Sequence, residues 1–392
     1  MAEKLGVAVI GAGGAVATTA IAGIEMIKAG SNSFAGLPLA DRDVAGMAAY
    51  RDIEFGGWDL SGDDLGTCAL RHGVLGDAEL ADGASALKGM RAWPAVGSTA
   101  HCANIDGNNR MADGHRAAIA QIKSDLDRFK EERGLERVVV LNLASTEKMP
   151  DADAASLASL DAFESGLDAN DPAISPAMLY AYASIDSGTP YANFTPSVAA
   201  DAAPLAALAA TRNVPVAGKD GKTGQTFLKT VIAPALRDRS LHVDGWFSTN
   251  ILGNSDGLAL DDPKSLASKL GTKGSVLDDI LGYEVKNHII MIHYYPPRGD
   301  DKEAWDNVDL TGFLGQTMQL KLNFLCKDSI LAAPLAIEIA RCLDLADRRG
   351  EGGVREELSV FFKAPQTAGG APEHAFDRQQ AMLDGWLAQG RA

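Results

Sequence analysis

The chain has 392 residues, 46% of them hydrophobic and 22% charged, which excludes wholesale disorder and is enough for two domains. Its formal net charge of -16 argues against nucleic acid or an anionic membrane as a main partner. Any anionic ligand must therefore meet a local cluster of basic groups.

The first stretch, "GVAVIGAGGAVATTAIAGIEMIKAG", predicts a strand over Val7 to Ile10, a turn through Gly11, Gly13 and Gly14, and a helix. Strand, glycine turn and helix N-terminus make a dinucleotide pyrophosphate site, because the backbone approaches phosphates closely only where Cβ is missing. Ala15 and Val16 complete the turn, with Val16 where the last glycine of GxGxxG would stand. The competing reading is a turn that joins strand to helix and binds nothing. A ribose-binding acid is absent from "KAGSNSFAG", which leaves Asp41, Asp43 or Asp59 as candidates. Glycines interrupt the apolar run of residues 5 to 22, so neither a signal peptide nor a membrane span is expected.

A helix over about 112 to 132 then leads to "RVVVLNLASTE", a buried parallel strand whose polar end carries Asn142, Ser145 and Thr146. A second polar strand end, "PYANFTPS", supplies Asn193 and Thr195. Such ends line the ligand crevice of a doubly wound sheet. In "DGKTGQTFLKT" the Gly-Lys-Thr imitates the end of a P-loop, but Val216 stands where that motif needs its first glycine. What remains is a helix start whose free N–H groups suit an anion.

From about 230 the strands alternate. In "TMQLKLNFL", Met318, Leu320, Leu322 and Phe324 share one face; "HIIMIHYY" is a second strand, and an antiparallel sheet with one open face is expected. Between strands fall "STNILGNSDG", "SKLGTKGS", "RGDDKEAWD" and "LCKDS". Lys269 and Lys273, four apart, would share a helix face, where two like charges are costly unless they share an anion; taken alone they read as solvated lysines. "DSILAAPLAIEIARCLDLA" returns to a buried helix. The expected architecture is α/β: a discontinuous Rossmann domain, 1 to 225 and 330 to 392, enclosing an α+β catalytic and oligomerisation domain, 226 to 329. Cys68, Cys102, Cys326 and Cys342 have no disulfide-framework or CxxC spacing, so reduced thiols in a cytoplasm are expected.

Taken in order, "GAGGAVATTA", "FGGWD", "NLASTE", "PYANFTPS", "GKDGKTGQTFLKT", "STNILGNSDG", "SKLGTK", "GDDKEAWD", "LCKDSILAAPLAIEIAR" and "FFKAP" resemble the myo-inositol-1-phosphate synthase family, in its compact archaeal-type branch. The resemblance implies NAD-dependent isomerisation of D-glucose 6-phosphate through oxidation at C5, enolisation, aldol closure and re-reduction. It implies that Lys269 assists proton removal from the C5 hydroxyl, while Asp220, Asp256 and Asp328 tune the lysine charges. Lys273 and Lys302 would hold phosphate or oxyanions, Lys363 would serve the C1 oxygen, and Asn250 and Asn254 would add hydrogen bonds. Thr223, Gly224, Gln225 and Thr226 would cradle the phosphate with hydroxyls and backbone N–H groups. Gly11, Gly13, Gly14, Ala15, Val16, Asp59, Asn142, Ser145, Thr146 and Asn193 are the expected NAD contacts, NAD being preferred to NADP because no arginine pair stands near the turn. A homotetramer is expected, and a divalent or monovalent cation is left open. The rivals are a related sugar-phosphate cyclase or epimerase, a silent NAD-binding paralogue, and a Schiff-base aldolase using one of the lysines.

Overall fold

A computed structural model describes residues 4–103, 105–151, 153–253 and 275–389. The first sheet takes β1 (Leu5–Ile10), β2 (Ile53–Asp59), β3 (Trp93–Pro94), β4 (Arg137–Asn142), β5 (Tyr191–Asn193) and β6 (Pro215–Gly218), and then β11 (Gly353–Val354). Its order is β11-β6-β5-β4-β1-β2-β3, with every neighbouring pair parallel. This is the doubly wound Rossmann arrangement. Its order reverses between β1 and β4, so a crevice opens at their C-terminal ends.

Helices cover both faces, as an all-parallel sheet requires. On one lie α1 (Ala15–Ala29), α2 (Leu65–His72) and α3 (Asp77–Leu87). On the other lie α4 (His115–Arg133), α5 (Leu160–Ala169), α6 (Pro176–Asp186) and α7 (Ala203–Arg212). Ile21, Ile24 and Leu141 join one apolar core, and Ile122, Leu126, Phe163 and Tyr180 the other. Together these cores bury both faces of the strands.

After β6 the chain runs through α8 (Gly224–Asp238) into β7 (His242–Leu252), α9 (Ser275–Leu281), β8 (His288–Tyr294), β9 (Asp301–Thr311) and β10 (Thr317–Lys327). These strands form a second sheet in the order β10-β9-β7-β8. It is mixed and not antiparallel throughout, because β8 pairs parallel with β7. A parallel partner needs a long connection, and the chain between Leu252 and His288, which includes α9, has the length for one. Trp246, Leu277, Ile280 and Val308 close a third core between this sheet and α8 and α9. The outer face leaves Ile289, Met291 and Leu325 exposed.

From β10 the chain enters α10 (Asp328–Arg348) at once, which packs on α1, and β11 then rejoins β6 before α11 (Phe376–Ala388). The boundaries expected at 225 and 330 fall inside the first turns of α8 and α10. Both helices start beside the crevice, so each belongs to the site as much as to either sheet. "RGDDKEAWD", expected between strands, is largely strand β9, and the first residues of "STNILGNSDG" belong to β7. No helix among the described residues is long and apolar enough to cross a membrane.

Candidate active site

A cavity of about 420 Å³ runs from the glycine turn to the second sheet. At the turn, Gly11 has φ +84°, and a Cβ there would stand 3.0 Å from the Ala144 Cα and 3.1 Å from the Leu143 carbonyl oxygen. Only glycine lets the turn press against the end of β4 in this way. Asp59 finishes β2 and accepts from the Gly13 and Ser61 N–H groups, both at 2.8 Å. His72, at the end of α2, meets the Gly13 carbonyl at 2.8 Å.

Gly11, Gly13, Gly14, Ala15, Val16 and Asp59 line this end with Ser145 and Thr146. Of the three candidate acids only Asp59 lines the cavity; Asp41 and Asp43 are exposed and lie elsewhere. The first turn of α1 carries no acidic side chain of its own and no side-chain cap, so its N–H groups are open. A Cβ-free cradle, bare helix amides and an acid at the end of β2 fit a dinucleotide.

Asn142 and Asn193, expected at the cofactor, do not line the cavity. Both are buried; Asn142 donates to Asn193 at 3.3 Å and accepts from the Ala144 N–H at 3.1 Å. Asn193 accepts from the Thr195 hydroxyl at 2.9 Å and donates to the Ser197 carbonyl at 2.6 Å. They shape the two loops whose Ser145, Thr146, Phe194 and Thr195 do line it.

The other end carries two lysine–carboxylate pairs. Lys363 donates to Asp220 at 2.7 Å, both side chains being buried, and the Lys363 N–H donates to the Asp220 carbonyl at 2.6 Å. The second Asp220 oxygen is buried with no hydrogen-bond partner among the described residues. Lys302, from β9, reaches both oxygens of Asp328 at 3.2 Å, and the Thr223 hydroxyl donates to Asp328 at 3.0 Å. Thr223 is the N-cap of α8; Gly224 follows at φ +55°, where an added Cβ would stand 3.6 Å from the Lys302 Nζ. The open N–H groups of that first turn thus sit beside an ammonium group, which suits a phosphate monoester.

The remaining expectations divide. Gly224, Gln225, Thr226 and Asn250 lie behind the lining. Gln225 is tied by its side chain to Asp306 and Asn250, whose amide donates to it at 2.7 Å, so neither amide is turned to the cavity. Thr226 is buried, which leaves the first-turn backbone as that segment's means of holding an anion. Lys269, Lys273, Asp256 and Asn254 lie outside the described residues.

Lys222 also turns away from the cavity: it donates to Gln379 of α11, and burial pushes its ammonium pKa down to about 7. Lys229 is pushed down to about 8 by burial, partly opposed by the Asp306 charge. Cavity residues unforeseen in the sequence include Ser61, Cys68, Arg71, His72, Asp106 and Ser329. Arg71 lines the cavity and pairs with Asp63, a single arginine and not the pair that a 2′-phosphate would call for. Gly73 after "LRH" marks the end of a helix, but nothing local shows that His72 reaches Gly13. Among the described residues no group of three His, Cys, Asp or Glu side chains could hold a metal ion.

The family model described as myo-inositol-1-phosphate synthase matches residues 35–388. An inositol-3-phosphate synthase of Bacteroides thetaiotaomicron is 39% identical over 97% of this chain and 94% of its own length. One from Oryza sativa is 30% identical over 98% and 85%. The crystal structure of an inositol-3-phosphate synthase from Caenorhabditis elegans superposes with a TM-score of 0.91 at 26% identity, covering 99% of this chain and 86% of that one. With a dinucleotide cradle at one end of the cavity and paired lysines at the other, the chain belongs to the myo-inositol-1-phosphate synthase family.

Proposed function

We infer that the chain is an NAD-dependent inositol-3-phosphate synthase, converting D-glucose 6-phosphate to 1D-myo-inositol 3-phosphate. The observation that carries the reading is one cavity joining the glycine turn and Asp59 to two lysine–carboxylate pairs, Lys363–Asp220 buried and Lys302–Asp328 partly so. Bound NAD supplies a reversible hydride acceptor for C5. The chain itself must hold a phosphate dianion and stabilise the oxyanions that develop as C6 loses a proton and the C1 aldehyde becomes an alkoxide. Lys302, Thr223 and the first-turn amides of α8 serve the phosphate or an oxyanion. Lys363, steadied by Asp220, serves the C1 oxygen. Fixed ammonium groups stabilise such charge far better in a dry cavity than in water. Lys269, Lys273, Asp256 and Asn254 enter on the family resemblance: Lys269 at the C5 hydroxyl, Lys273 at phosphate or oxyanion, Asp256 and Asn254 as their partners.

Residues 1–225 with 330–392 form the cofactor-binding part and 226–329 the catalytic and assembly part of this reading. The assembly is a homotetramer in which the outer face of the second sheet, with Ile289, Met291 and Leu325, packs against another copy. Light scattering on the eluting protein measures it. The location is cytoplasmic, in keeping with free thiols at Cys68, Cys102, Cys326 and Cys342.

Incubation with glucose 6-phosphate and NAD+, followed by NMR, tests the function. Inositol phosphate should form without net accumulation of NADH. Unchanged sugar, or NADH rising with an oxidised sugar, rejects it. Repeating the assay with EDTA, and with K+ exchanged for Na+, tests a cation.

A further inference from the structure

Asp306 lies on the same face of β9 as Lys302, is fully buried, and lines no part of the cavity. One oxygen accepts from the Trp246 indole at 2.7 Å and the Ser248 hydroxyl at 2.6 Å, and the other from the Gln225 amide at 3.2 Å. The Gln225 carbonyl in turn accepts from Asn250 at 2.7 Å. Trp246, Ser248 and Asn250 all stand on the inward face of β7, and Gln225 is in the first turn of α8. The chain of bonds therefore crosses from two strands of the second sheet to the helix start that faces Lys302.

A carboxylate withdrawn from water is destabilising unless its lone pairs are filled and a counter-charge is near. Three donors fill them here, and Lys229, one turn beyond Gln225, feels the Asp306 charge. Gln225 cannot swing toward the cavity without breaking bonds at both ends of its amide. Its side chain is thereby fixed, and with it the direction of the α8 amides.

We propose that Asp306 is a positioning residue of the reaction: through Gln225 and Asn250 it holds the anion-binding first turn of α8 against β7 and β9. On this proposal the Gln225 side chain acts on that anchor and never on the phosphate. The inference rests on the synthase reading above for its substrate.

The pattern of donors and acceptors allows an exchange test. Gln225→Glu sets carboxylate against carboxylate and removes a donor. Adding Asp306→Asn to it restores every bond: the new amide on β9 accepts from Trp246 and Ser248 through its carbonyl and donates to the new carboxylate on α8, which still accepts from Asn250. The buried charge is unchanged. Kinetics on glucose 6-phosphate with NAD+, calorimetric binding of inorganic phosphate and thermal melting are measured on all the variants. Gln225→Glu should raise KM and the phosphate Kd by about tenfold or more, or fail to fold, with kcat the less affected where it folds. The double variant should return to within about threefold of the native protein. A double variant that does not fold, or that folds with KM and phosphate Kd still about tenfold high, overturns the proposal, since a carboxylate that faced the phosphate from this position would repel it in either background. Neutral behaviour of Gln225→Glu alone overturns it too. A native enzyme inactive on glucose 6-phosphate defeats the functional reading, whereas an active native enzyme with an unrescued double variant defeats only the role of Asp306.

Discussion

Replacing Lys222 by Met removes a buried ammonium group that the chemistry does not use. In the folded chain its pKa is pushed down to about 7 from the ordinary 10.5, because burial penalises the charge. Between about pH 7 and 10.5 the unfolded chain thus binds a proton that the folded one refuses. Stability contributed by this site is full above the unfolded pKa and is lost as pH falls toward the folded one. At about 1.4 kcal/mol per pKa unit, the two pKa values make the native protein lose roughly 2–3 kcal/mol between pH 9 and pH 6 on account of Lys222. Against this, methionine leaves the buried Gln379 carbonyl without its donor, at a cost of about 1–3 kcal/mol. By pH 9 the native protein has already given up about 2 kcal/mol of this stability, so the variant should be about level with it at pH 9 and the more stable by roughly 2–3 kcal/mol at pH 6. Urea unfolding of both proteins at pH 6, 7.5 and 9 measures this difference. A stability difference that does not change with pH would refute the reasoning, and Lys222 would then be charged and satisfied in the fold.

Lys302→Ala should cut kcat/KM by about 10²-fold or more while leaving the NAD+ Kd within about twofold, because the lost ammonium group faces Asp328 and the α8 amides, away from the glycine turn; stopped assays and fluorescence titration measure the two. Asp59→Ala should weaken NAD+ by about tenfold, since the carboxylate both faces the cofactor end and accepts from Gly13, and NADP+ binding as tight as NAD+ in the native protein would contradict the assigned preference. Gly11→Ala should lower stability by about 1–3 kcal/mol in urea and weaken NAD+ further, given φ +84° and backbone atoms of Ala144 at 3.0 Å. Lys269→Ala should abolish turnover and leave NAD+ binding intact; near-native turnover would return Lys269 to the solvated-lysine reading.

Much of the first sheet was legible because its signals are local. The β-branched run before Gly11, the apolar "RVVVLN" and the helical patterns between them need no knowledge of distant partners, and they yield the parallel order and its crevice. Side-chain direction was less legible. Asn142 and Asn193 stand at polar strand ends as expected, yet each is taken up by the loop that follows its own strand, and the bond that links them joins residues 51 apart. His72 meets a turn 59 residues earlier, a contact no spacing rule encodes. The parallel pairing of β8 was hidden because alternation fixes a strand's faces and says nothing of its direction.

The misreading of "RGDDKEAWD" as a loop has a different cause, and it bears on function. Its inward residues are Lys302, Ala304 and Asp306, while Glu303 and Trp305 take the outer face, so the usual rule of apolar inside and polar outside is reversed at most of these positions. The facing strand repeats the reversal with Ser248 and Asn250 inside. A sheet stabilised by burial alone would not carry a lysine, a carboxylate, a hydroxyl and an amide on its core side, because each must find a partner to offset its desolvation. Here the partners are found among one another and on α8 and α10. Composition therefore reads as loop where a strand turns its polar face toward the chemistry, and the inversion itself marks which part of the second sheet holds the site.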